Sequence, residues 1–154
     1  MAQPHFSLCA NIDISILKEY IKANELTLTP SIVYIIAHAA NSIPEFRQRI
    51  RDKHTVVEHK FVHPSFAVLT EVADVFSFCE TKYAPNYIDF VTRAQQRMEI
   101  MKKTPSFEDD HSRDDYLFLS SIPWVHFTGL THAMHSPVQD SVCLLYTSPS
   151  PRDS

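Results

Sequence analysis

Ser120-Ser121-Ile122-Pro123-Trp124-Val125-His126-Phe127-Thr128-Gly129 sets a pair of serines before a rigid proline-tryptophan corner and an apolar run. A serine nucleophile on a strand-to-helix elbow needs Gly-x-Ser-x-Gly, because the glycines let strand and helix approach at a strained turn. Neither flanking glycine is present, and Gly129 is the only glycine in the chain. A hydrolase elbow is therefore excluded. Two readings of Ser120 remain. It is either a strand-end serine that hydrogen-bonds its own backbone, or a fixed hydroxyl that donates to an oxyanion developing in a reaction.

Outward from this stretch the periodicities predict a mixed α/β protein. Tyr116 to Leu119 and Val125 to Ala133 read as strands, and Leu130, His132 and Met134 follow period two, so that one strand face can carry all three. Phe6, Leu8, Ala10, Ile12 and Ile14 alternate as in a half-buried strand. Ser15 can cap a short helix with Ile16, Leu17, Tyr20 and Ile21 on one face. Thr29-Pro30 predicts a helix start, with proline where its missing N–H costs nothing. That helix runs to about Ser42, is apolar over most of its circumference and is expected between layers; Pro44 stops it. Val56 to His59, Phe66 to Thr70 and Val75 to Cys79 read as strands, with Pro64 marking a break or an edge. Tyr87 to Lys103 is a long amphipathic helix with Phe90, Val91, Ala94, Met98 and Met101 on one face and Lys102 and Lys103 at its C-terminal dipole. The expected fold is α/β, a mixed sheet covered by helices.

Composition narrows the function classes. A length of 154 residues suits one domain, and 44% hydrophobic content is enough for a packed core. A net charge of -4 and the lack of a basic run argue against nucleic acid or an anionic membrane surface. No apolar run approaches the ~20 residues of a membrane span, and no signal peptide opens the chain; a cytoplasmic location is expected. Cys9 and Cys79 read as small buried strand residues in a reducing compartment. The charged run Glu108 to Asp115 reads as a solvated loop.

The histidines do not predict a metal site. His59 and His63 stand four apart, but Pro64 and the β-branched residues around them oppose the helix that would align them. His126 and His132 share a strand face but lie about 20 Å apart, too far for one ion with bonds of ~2 Å.

The stretch around Ser120 resembles the Ser-x-x-Pro-Trp-Val-x-Phe segment of the chloramphenicol acetyltransferase family. Four further segments resemble that family in the same order. Phe6-Ser7-Leu8-Cys9-Ala10-Asn11-Ile12-Asp13-Ile14 is similar to its early strand, and Pro30-Ser31-Ile32-Val33-Tyr34-Ile35-Ile36-Ala37 to the buried helix that follows. Ile43-Pro44-Glu45-Phe46-Arg47 is similar to the turn after that helix, and Val75-Phe76-Ser77-Phe78 to a later strand. The resemblance runs from about Phe6 to Val142 and implies an incomplete coenzyme A-dependent acyltransferase fold.

The resemblance also implies a chemistry. Acetyl would pass from acetyl-CoA to a hydroxyl of chloramphenicol or a similar acceptor, inactivating the antibiotic, with no acyl-enzyme. Ser120 takes the place of the family serine that stabilises the tetrahedral intermediate, and Trp124 that of a tryptophan beside the pantetheine arm of coenzyme A. Phe76, Phe78, Leu130, His132 and Met134 fall where the family lines its acceptor pocket. Phe78 stands where a small residue is usual and His132 where an aliphatic is usual, which makes the pocket bulkier and partly polar. The family is a homotrimer with sites at subunit interfaces. Its general base is a histidine in a His-His-x-x-x-Asp-Gly motif, which this sequence does not contain. Other readings are a same-fold acyltransferase with another acceptor, such as a dihydrolipoyl acyltransferase, and a non-catalytic homologue or fragment.

Both ends depart from the family pattern. The helical segment that precedes the early strand in the family is missing, so Met1 is expected to be an internal or cloning start. From Cys143 to Asp153 the residues match, codon by codon, the translation of a transposon end joined to a sequencing-library adapter. The expected organisation is a partial domain over residues 1–142 and a non-native tail over residues 143–154.

Overall fold

The computed structural model describes residues 7–52, 54–72, 75–106, 112–122, 124–125, 127–130, 141 and 143–148. Helix α1, Ser15–Ala23, starts where the Asp13 carboxylate accepts from both the Ser15 amide at 2.9 Å and the Ser15 hydroxyl at 2.6 Å. Ser15 is thus the first helical residue rather than the cap. Of the predicted apolar face only Ile21 is buried, while Ile16 is 83% exposed. The helix ends without a glycine. Glu25 takes up a left-handed conformation at φ 54°, and the Leu26 amide reaches back to the Ile21 carbonyl at 3.0 Å, the six-to-one bond of a Schellman cap.

Helix α2, Leu28–Ser42, begins one residue before the predicted cap. Pro30 sits in its first turn, where amides lack intrahelical acceptors. Pro30, Val33, Ala37 and Ala40 are buried at helical spacing, but Ile35 is 46% exposed and Ala39 is on the surface. The helix therefore buries one face against the sheet and is not enclosed between layers. Pro44 opens a short 3-10 turn, Pro44–Arg47.

Helix α3, Tyr87–Lys103, has the predicted bounds. The Asn86 side chain accepts from the Asp89 amide at 3.0 Å, and Phe90, Val91, Ala94 and Met101 are buried against the sheet and α2.

Among the described residues six strands form two sheets. β1 (Gln48–Arg51) and β2 (Thr55–Glu58) make an antiparallel hairpin. β3 (His63–Leu69), β4 (Phe76–Glu80), β5 (Tyr116–Ser121) and β6 (Leu144–Thr147) form a mixed sheet in the order β4-β3-β5-β6. β3 pairs antiparallel with β4 and parallel with β5, and β6 pairs parallel with β5. This is the expected mixed α/β class. Pro64 lies buried near the start of the central strand β3, not at an edge, because a residue this close to the strand start gives up little of the ladder.

Among the described residues the helices cover the sheet on one side only. Phe66, Val68, Cys79, Leu117 and Leu119 point to the helices and join the core. Their neighbours Leu69, Phe76 and Phe78 alternate to the other face, where each is about half exposed.

The structure corrects three further expectations. Residues 7–14 form no strand; Leu8 is 85% and Ile12 80% exposed, and Cys9 is exposed rather than buried. Alternation makes a strand only where a partner offers hydrogen bonds, and among the described residues none does. Phe6 lies outside the described residues. Val125 and residues 127–130 are likewise not in a strand, and His126 and residues 131–133 lie outside the described ones.

Residues 108–111 of the charged run lie outside the described residues, and residues 113–115 are paired rather than merely solvated. Asp114 accepts two bonds from the Arg51 guanidinium, at 2.9 and 2.8 Å, and faces His59 Nε2 at 2.9 Å. Arg113 bonds Asp115 and Glu80 and lies 4.5 Å over the Tyr116 ring. Residues 144–147, within the segment read from the sequence as a non-native tail, occupy the sheet edge as β6.

Candidate functional site

Ser120 is placed by the alternation of β5. Leu117 and Leu119 are drawn into the core, so Phe118 and Ser120 must face the uncovered side. There Ser120 borders a concavity of about 360 Å³ with Ser65, Ala67, Phe78, Phe118 and Tyr146. Ser65 and Ala67 supply the hollow, because their small side chains sit on the central strand between the bulky Phe78 and Phe118. At the strand end Ser120 also meets a smaller cavity of about 120 Å³ on the helix side, lined by Leu28, Thr29, Ile32, Phe66, Ser121 and Thr147. No group among the described residues hydrogen-bonds the Ser120 hydroxyl, so the backbone-bonded reading is not realised there.

Phe76, two residues before Phe78 on the same face, stacks on Trp124 with ring centroids 6.4 Å apart and planes 20° apart. Trp124 is 62% exposed and forms an open wall rather than a core anchor. The structure thus gathers Ser120, Phe78, Phe76 and Trp124 on one sheet face. Leu130 does not join them. It is half-buried, outside any strand, bordering neither cavity, and its carbonyl accepts from the Ser7 hydroxyl at 2.6 Å. His132 and Met134 lie outside the described residues.

Sequence reading missed Ser65, Ala67, Phe118 and Tyr146. A signal existed for the first three: small residues at period two on β3, and an aromatic two residues before Ser120 on β5, mark the face opposite the buried one.

Among the described residues the concavity is lined by no charged side chain. No histidine, aspartate or glutamate is among its lining residues. The titratable cluster lies at the other end of β5, four residues or about 13 Å from Ser120. There the His63 Nδ1 accepts from the Tyr83 amide at 3.0 Å, and burial pushes the imidazole below its ordinary range, with Asp115 pulling the other way. Asp114 is held down at about 2, chiefly by its hydrogen bonds from Arg51. Arg49, only 2% exposed, donates to the carbonyls of Phe46, Gln48, Asp114 and Tyr116 and ties the hairpin to the start of β5. These groups act in structure, remote from Ser120. Among the described residues no group of three or more His, Cys, Asp or Glu side chains is placed to hold a metal, and no helix is long and apolar enough to cross a membrane.

The family match and the curated relatives point to one family. Residues 1–143 match the family described as chloramphenicol acetyltransferase. The chloramphenicol acetyltransferase of Bacillus pumilus is 30% identical over 126 residues, which are 80% of this chain and 56% of that protein. The chain therefore spans a little over half the length of the curated relatives it matches. A solved chloramphenicol acetyltransferase shares the fold at a TM-score of 0.81 and 20% identity, over 96% of this chain and 72% of the other. The dihydrolipoamide acetyltransferase of Azotobacter vinelandii follows at 0.63 and 19% identity, over 84% of this chain and 58% of the other. Identities this low speak for the fold, and the family match speaks for descent: the chain belongs to the chloramphenicol acetyltransferase family.

Proposed function

We propose that the complete protein is an acetyl-CoA-dependent O-acetyltransferase acting on chloramphenicol or a similar small hydroxyl-bearing acceptor, and that Ser120 stabilises the oxyanion. The observation that carries this reading is the Ser120 hydroxyl. It borders an uncharged concavity between aromatic walls and has no hydrogen-bond partner among the described residues. Direct attack of the acceptor hydroxyl on the thioester carbonyl places negative charge on that carbonyl oxygen. A hydroxyl donor fixed by a strand stabilises this charge more than it does the neutral carbonyl. Phe76 and Phe78 offer apolar surface to the acceptor, while Trp124, open on its outer side, borders the approach of the pantetheine arm. The bulk of Phe78 favours acceptors slimmer than chloramphenicol.

The acceptor proton needs a base of near-neutral pKa within hydrogen-bond reach. His63 does not fit, because its Nδ1 is engaged by the Tyr83 amide and it lies at the far end of β5. We assign the base to the histidine of the family's His-His-x-x-x-Asp-Gly motif, which is not in this sequence, so the chain as written does not turn over. The half-exposed phenylalanines of the open sheet face are the surface that a neighbouring subunit covers in a cytoplasmic homotrimer. Residues 143–154 are read as adapter-derived, replacing the native continuation.

Recovering the genomic sequence beyond Val142 and assaying both proteins tests this reading. The protein completed past Val142 should acetylate chloramphenicol or a smaller analogue with acetyl-CoA, and the 154-residue chain should not. A genomic continuation lacking the histidine motif, or turnover by the chain as written, would overturn it.

A further inference from the structure

Two histidines meet Tyr83 through different atoms. Tyr83 lies in the stretch 81–86, which joins β4 to α3. His63 Nδ1, on β3, accepts from the Tyr83 amide at 3.0 Å, whereas His38 Nδ1, on α2, pairs with the Tyr83 hydroxyl at 2.8 Å. The two bonds respond differently to a proton. A hydroxyl donates or accepts, so its bond to His38 survives in either state of that ring. An amide N–H only donates, and a protonated Nδ1 has no lone pair left to receive it. We propose that His63 is the pivot of a proton-operated latch: neutral His63 holds the stretch 81–86 against β3, and protonated His63 releases it.

The surroundings of His63 favour release. Asp115 Oδ2 stands 3.7 Å from its Nε2, and Arg113, Glu80 and Lys82 complete the charges that face it. Arg113 already bonds both Asp115 and Glu80, and Lys82 belongs to the stretch itself, so an imidazolium repels the segment it would have to hold. Burial is the largest influence on the ring and opposes its charge. The closed latch therefore binds the proton less tightly than the open one, and opening becomes easier as the pH falls below about 6.5. Past Thr81, whose amide bonds the Pro64 carbonyl at 3.1 Å, the other ties come from exposed side chains. The Tyr34 hydroxyl donates to the Pro85 carbonyl at 2.5 Å, and the Arg93 guanidinium to the Lys82 carbonyl at 3.3 Å. The Tyr83 ring stacks on Tyr34 with centroids 6.5 Å apart and leans on Phe61 at 5.5 Å. Release thus uncovers an aromatic surface on the outer side of α2.

Amide exchange and nitrogen NMR on the 154-residue chain test this, whatever its activity. Measured against the unstructured rate at each pH, the Tyr83 amide should be at least ~10-fold better protected at pH 8 than at pH 5, while the Ala94 amide in α3 stays protected at both. The His63 Nδ1 resonance should pass from its acceptor to its protonated position over the same range. In His63→Gln, whose carboxamide oxygen accepts at either pH, the Tyr83 protection should lose its pH dependence; in His38→Gln it should keep it. Equal Tyr83 protection at the two pH values would overturn the proposal. So would a loss in step with Ala94, or a pH dependence that survives in His63→Gln. Should that variant fail to fold, the intact chain decides, through whether His63 Nδ1 and the Tyr83 amide titrate together.

Discussion

A hydroxyl with neither a hydrogen-bond partner nor a charged neighbour at its concavity among the described residues gives Ser120 its chemical interest, and the contrast with His63 shows why. His63 has the more reactive side chain but spends its lone pair on the Tyr83 amide, so its effect is on stability. Burial lowers its pKa in the folded state, whereas the unfolded value is about 6.5. The unfolded chain therefore binds the proton more readily. Stability is at its full value above about 6.5 and falls as the pH drops from there to the depressed folded pKa. Thermal melts between pH 8 and pH 5 should show this slope in the parent, and His63→Gln should flatten it. A parent with a flat profile over that range would contradict the assignment. At this scale the sequence was readable through its resemblance to a family. Ser120, Phe76, Phe78 and Trp124 meet on one face, but Tyr146 was beyond reach because its partner across the ladder is set by tertiary pairing.

Among the elements, the Asn86 cap of α3 was not read from the sequence, but its bounds were legible because its apolar stripe and C-terminal lysines agree. β1 was not. Gln48-Arg49-Ile50-Arg51 hides no apolar face, and its one buried side chain is an arginine that serves four carbonyls. Arg49→Met keeps the bulk but leaves those carbonyls without their donor. At ~1–3 kcal/mol for each buried acceptor left unpaired, it should cost more than ~3 kcal/mol in a urea titration; a loss under ~1 kcal/mol would show that water replaces the guanidinium. The end of α1 offers the opposite change. Glu25 holds a left-handed conformation that costs an L-residue roughly 1–2 kcal/mol. Glu25→Gly should therefore raise stability by about 0.5–1 kcal/mol in the same titration, after the greater flexibility of glycine in the unfolded chain is allowed for. The segment 7–14 marks the limit of pattern reading: its alternation is regular, yet Leu8 and Ile12 lie in solvent.

For the molecule as a whole, the one-sided sheet links fold and function. Helices cover one face, and the other keeps Leu69, Phe76 and Phe78 about half exposed beside Ser120. In the function proposed above, a neighbouring subunit covers this face and shapes the acceptor site in doing so. The central claim is that Ser120 acts on charge that appears only in the transition state. The most direct measurement is steady-state kinetics of Ser120→Ala and Ser121→Ala in the protein completed past Val142, with acetyl-CoA and chloramphenicol or a smaller hydroxyl acceptor. Ser120→Ala should lower kcat by ~10²–10³ with little change in acceptor KM. Ser121→Ala should be much milder, since its side chain alternates to the helix side. Equal and small effects at the two serines would contradict the account and leave Ser120 a structural residue.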